Sequence, residues 1–206
     1  MKRWPMVVAG FLVALVLTGC AKAPPVPVDR FYRLPEPSVA ALGADRTRWG
    51  KLVHVRALQA DGLHTERAVL FSEDVQAVSL VRYHYHHWVD GPPRLVQDYV
   101  ATSLRQAVPS ALILTEPDGR PDVVVSGKVK RFEHHVPLGK GEGRAMVALE
   151  LRVSRASGSA PVWVKDYQAV VDVRGVGMTA TINAFGQAMS DVVSAFVADA
   201  SSALAP

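Results

Sequence analysis

Cysteine is almost missing from this chain: the 206 residues contain one, Cys20. A lone thiol closes no intrachain disulfide and builds no cysteine-rich zinc site, so stability must come from core burial, in line with the 49% hydrophobic content. Charge of one sign is lacking too. Lys and Arg number 23 against 19 Asp and Glu, a net charge of +4 that falls to about +2 without Lys2 and Arg3, too small an excess to argue for nucleic acid as a partner. No apolar run approaches the roughly 20 residues that cross a bilayer; the longest, Met6 to Leu17, is about a dozen. There is no Gly-x-x-x-x-Gly-Lys-Ser/Thr phosphate loop, which excludes nucleotide hydrolysis of that type. Neither Ser79, Ser126, Ser154 nor Ser190 sits on the glycine-flanked turn that a serine nucleophile needs.

What is present begins at Cys20. A basic start, an apolar stretch from Val7 to Leu17 and the small residues Thr18 and Gly19 have the layout of a secretory signal that ends before the cysteine. Leu17-Thr18-Gly19-Cys20 resembles the bacterial lipobox, which implies cleavage before Cys20, a diacylglycerol thioether on its sulfur and an N-acyl chain such as palmitate on its amine. More than one chain, at about 0.8 kcal/mol per buried methylene, makes a stable anchor. By the same resemblance, Ala21 in place of an aspartate favours the inner leaflet of the outer membrane. The expected organisation is a signal peptide over 1–19, a lipidated tether over 20–48 and one domain over 49–206.

Pro24, Pro25, Pro27, Pro35 and Pro37 make the tether extended, because proline fixes φ and removes a backbone donor. Within it, Phe31-Tyr32-Arg33-Leu34 reads as a short strand. Leu52–Leu58 and Glu66–Phe71, separated by Asp61-Gly62, predict a hairpin, and Val78–Trp88 predicts a further strand. Pro92 or Pro93 opens a helix to about Val108, with Leu95, Val96, Tyr99, Val100, Leu104 and Ala107 on one face. Strands are expected over Ala111–Leu114, Asp122–His134 (with a bulge at Gly127), Arg144–Val153 and Val162–Val173. A last helix, capped by Thr179 or Thr181, runs to about Leu204 with the stripe Ile182, Phe185, Met189, Val192 and Phe196. This order predicts an α+β fold in which a mainly antiparallel sheet is covered by two helices.

Two groups of residues invite a functional reading. His84, His86 and His134 suggest a zinc site, but the one nearby strand carboxylate, Glu133, points away by alternation, and solvent-facing sheet histidines account for the pattern. Tyr83, Tyr85 and Trp88 are candidates for contact with a partner, since such rings combine large buried area with a polar tip; packing under the following helix is the structural alternative. The C-terminal stripe reads as core, with Val193 and Val197 widening it enough for a subunit contact, hence a possible homo-oligomer.

The lipobox, Phe31-Tyr32-Arg33-Leu34, the strand pair, and His87-Trp88-Val89-Asp90-Gly91-Pro92-Pro93 leading into a helix together resemble the ABC-type transport auxiliary lipoproteins, a PqiC-like, MCE-associated family. Relatives often carry a proline in the first hairpin, where this chain has Ala57-Leu58-Gln59-Ala60. The resemblance implies a non-enzymatic periplasmic accessory component of an ABC/MCE-type envelope lipid-transport system. Its partners would be an MCE-type lipid-binding protein and an inner-membrane transporter, with membrane attachment through Cys20 and no cofactor beyond that lipid. A structural lipoprotein that assembles another outer-membrane complex is the second reading, and a histidine-based metalloenzyme the third.

Overall fold

The computed structural model describes residues 26–40, 49–73, 78–116, 118–137, 143–158 and 160–204. The expected signal peptide, Cys20, the first part of the tether and most of the loop before Gly143 lie outside the described residues. Among the described residues, nine strands and two α-helices follow in the order β1 (Arg30–Tyr32), β2 (Leu52–Val55), β3 (Gln59–Ala60), a 3₁₀ turn (Gly62–Thr65), β4 (Ala68–Ser72), β5 (Val81–Trp88), α1 (Pro92–Ala107), β6 (Leu112–Leu114), β7 (Val123–His135), β8 (Arg144–Arg155), β9 (Pro161–Asp172) and α2 (Met178–Ala203).

The α+β class holds, but the sheet is mixed rather than mainly antiparallel. β7, β8 and β9 form a long antiparallel meander. Along its other edge, β7 pairs with three short strands in series, all parallel to it: β2 beside Val123–Val125, β3 beside Lys128 and Val129, and β4 beside Glu133–His135. The expected hairpin therefore does not form. At 13 residues, β7 offers enough unpaired backbone donors and acceptors to take β2 and β4 one after the other, and each pairs with it instead of with the other. β6 adds parallel to β2, β5 antiparallel to β4, and β1 parallel to β5.

Both helices lie on one face of this sheet, where β2, β7, β8 and β9 present their inward side chains. Val53, Val55, Val125, Val129, Phe132, Val147, Leu149, Leu151, Val153 and Tyr167 meet Val96, Val100 and Leu104 of α1 and the whole expected stripe of α2. α1 starts at Pro92, as proline at the first helical position suggests, with Gly91 as its N-cap. A Cβ on Gly91 would sit 2.8 Å from the Thr65 carbonyl oxygen, so a larger residue there would push the 3₁₀ turn away. For α2 the N-cap is Gly177 at φ 84°, with no side-chain cap; Thr181 is buried one turn inside. A threonine in that left-handed conformation would be strained, whereas glycine adopts it freely. The register shift in β7 falls between Val129 and Arg131, not at Gly127. That glycine is required for another reason: any Cβ would run into the Glu150 carbonyl across the ladder.

Residues 33–39 form a strap over both helices. Gln106 of α1 donates to the Pro37 carbonyl (3.0 Å) and accepts from the Val39 amide (3.2 Å). Pro35 packs against Gly186 of α2, where a Cβ would approach its ring to 2.7 Å, and Pro37 is buried. The proline-rich segment after β1 is thus part of the packed structure.

Candidate functional site

The aromatic and histidine side chains gather where β1, β5, β4 and β7 lie side by side. The β4–β5 register explains an arrangement that simple alternation misses: the two-residue step from Ala68 to Leu70 faces the five-residue step from His87 to Arg82. The extra residues of β5 break its period, so Tyr83 and His86, expected on opposite faces, meet edge to face with ring centroids 5.7 Å apart. Tyr83 also packs on Phe71 (4.4 Å) and bonds through its hydroxyl to His134 Nδ1 (2.9 Å). His86 Nδ1 is bonded by the Tyr32 hydroxyl at 2.9 Å.

Burial, and secondarily the neighbouring His135, pushes the His134 pKa down to about 4. The neutral ring leaves Nδ1 free to accept from Tyr83, whose own pKa is raised chiefly by burial. His86 is also shifted downward, by burial first and then by Arg30 and His87. Each of the two thus has a tyrosine as its ring partner. Glu133 directs its carboxylate to His64 (3.1 Å) and Arg131 (2.9 Å), which hold it ionised against the cost of burial. His84 is exposed, beside Tyr85. Among the described residues, no group of three or more His, Cys, Asp or Glu is arranged to hold a metal ion.

The three aromatic candidates part company. Trp88 is 0% exposed and packs against Phe132 (5.2 Å) and Phe185 (5.3 Å), joining β5, β7 and α2. Tyr83 is half-buried in the histidine cluster. Tyr85 is 44% exposed and alone of the three offers its ring to a partner. Sequence reasoning missed Phe31, Arg67 and His87. The β1–β5 register brings Phe31 beside His87, and Arg67 lies over the Phe31 ring at 5.2 Å. A parallel pairing between segments more than fifty residues apart leaves no local periodicity that would have revealed it.

A family model described as "ABC-type transport auxiliary lipoprotein component" matches residues 32–197. The chain belongs to this family. Membership makes it an auxiliary component of ABC-type transport and, as a lipoprotein, part of the cell envelope. The matched region starts at Tyr32, the last residue of β1, so the strap falls within it. Among solved structures, the chain is similar to protein XCC0632 from Xanthomonas campestris, with a TM-score of 0.73 and 18% identity over 84% of this chain and 95% of that one. A second, described as an uncharacterized protein, matches with a TM-score of 0.63 and 12% identity over 84% of this chain and 99% of that one. At these identities the likeness concerns the fold. Comparison with curated proteins finds no match. Among the described residues, no helix of this auxiliary lipoprotein is long and apolar enough to cross a membrane.

Proposed function

We propose that this chain is a non-enzymatic accessory domain anchored through lipid on Cys20 to the inner leaflet of the outer membrane. There it docks an MCE-type periplasmic lipid-binding protein, and through it the inner-membrane ABC transporter. The observation that carries the reading is the lipobox lying just ahead of a domain that matches the auxiliary-lipoprotein family. A structural role for the titratable cluster supports the non-enzymatic part: His86 and His134 are held by tyrosine hydroxyls, and Glu133 by His64 and Arg131. Of the three aromatic candidates Tyr83, Tyr85 and Trp88, Tyr85 is the exposed one.

Cys20→Ala tests the anchor. The variant is expected to leave the membrane fraction and to lose the transport phenotype; full membrane attachment with full activity would overturn the proposal. Crosslinking in the envelope followed by copurification tests the partner. An MCE-type protein in the crosslinked product is expected, whereas an outer-membrane assembly without it would favour the structural lipoprotein.

A further inference from the structure

Exposed large apolar side chains include Phe31 (54% exposed) and Tyr85 (44%) on the β1–β5 edge, and Val26 (84%) and Val28 (69%) in the segment leading into β1. Tyr32 packs against the core and pairs in register with the buried Trp88, so strand alternation turns Phe31 and His87 to the helix-free face. Residues 26–29 lead directly into β1, and Asp29 lies 3.4 Å from His87. Cations border these apolar groups. Arg67 is exposed and covers the Phe31 ring, and Arg30, on the other face of the same edge strand, is exposed and makes no ion pair among the described residues, whereas Arg33 lines the groove between the strap and α1 with Glu36 and Asp98. The carboxylate at this edge, Asp29, faces His87, and Arg82 is matched by Glu66.

The chain outside the structure limits what can reach this edge. With residues 30–39 held by β1 and the strap, the segment from Cys20 to Arg30 is about ten residues, a fully extended reach of about 33 Å. Resting on the reading of Cys20 as the lipid attachment, we infer that the β1–β5 edge is a membrane-contacting surface. Phe31, Tyr85, Val26 and Val28 enter the headgroup boundary, and Arg30 and Arg67 at this edge meet anionic phosphates. Apolar and amphipathic rings beside cations are the combination that binds such an interface, and a second weak contact next to an acyl anchor orients a domain that lipid alone leaves free to tumble.

Two measurements test this independently of each other. In the first, Cys20→Ser mature chain is floated with phosphatidylethanolamine–phosphatidylglycerol vesicles. Binding is expected at low ionic strength, falling about fivefold for Arg30→Gln, and further with Phe31→Ser, at unchanged thermal stability. No binding, or binding insensitive to these changes, overturns the inference. In the second, the lipidated chain carries a fluorophore at Tyr85→Cys or, as reference on the opposite edge of the sheet, at Val164→Cys, in vesicles bearing quencher lipids. Stronger quenching at position 85 is expected; equal quenching, or stronger quenching at 164 because a protein partner covers the β1–β5 edge, overturns it. The mass of the purified chain reports separately on the anchor: an unmodified Cys20 removes the lipoprotein reading, while vesicle binding by the Cys20→Ser chain still upholds the surface.

Discussion

Protonating His134 would put a cation in a site where the Tyr83 hydroxyl needs an acceptor and His135 lies alongside. The folded state therefore prefers the neutral ring, and its pKa of about 4 lies below the ordinary 6.5 of an unfolded histidine. Between these values the unfolded chain binds more protons, so stability rises with pH there: it is complete above 6.5 and lost as pH falls toward 4. The loss amounts to about 3 kcal/mol as an upper figure. His86, shifted in the same direction, adds to it. Chemical denaturation at pH 7.5 and pH 5 should show a marked drop for the parent chain and a smaller one for His134→Gln. An equal drop in both would mean that another group carries the effect. Trp88 makes a contrasting case, with no charge at stake. Its ring bridges Phe132 and Phe185 at 0% exposure, so Trp88→Ala should cost about 3–5 kcal/mol in the same assay, whereas Tyr85→Ala should cost well under 1 kcal/mol.

At the scale of elements, what was legible in the sequence is what local periodicity controls. α1 and α2 lie where apolar residues recur at three and four, and β7, β8 and β9 lie within a residue or two of their alternating runs. Pairing was not legible. Nothing in Leu52–Leu58 announces that it will lie parallel to β7 rather than antiparallel to β4, because the competing strand is seventy residues away. The inserted residues of β5 were hidden for a related reason: alternation assumes a regular ladder, and only the partner's register shows where it fails. The strap was hidden by composition, since prolines read as a free tether whether or not something holds them. Its hold can be loosened selectively. Gly186→Val would drive a side chain into Pro35, and Gln106→Ala would remove two hydrogen bonds worth about 2 kcal/mol together. Either change should speed tryptic cleavage after Arg33 several-fold relative to cleavage elsewhere, with the far-ultraviolet spectrum retained. Unchanged relative rates would show that the strap does not depend on these contacts.

Across the whole molecule, the position of the strap changes what an anchor at Cys20 can do. Were residues 20–48 all free, the domain could stand about 95 Å from its lipid; with residues 30–39 packed, the leash is about ten residues and about 33 Å. The domain would then sit next to the membrane, with the mixed sheet's β1 edge nearest and β9 at the far side. Length becomes a variable that composition does not touch. Inserting about ten Gly and Ser residues after Pro25 doubles the leash without disturbing any described contact. For a flexible linker the local concentration of the tethered face at the membrane then falls as about the −3/2 power of length, close to threefold. The quenching at a Tyr85→Cys label should fall by a comparable factor, while lipidation and thermal stability stay as they were. If quenching is instead unchanged, the face is held at the membrane by contacts strong enough to ignore the leash; if it is lost with the shorter leash also, the leash does not set the orientation.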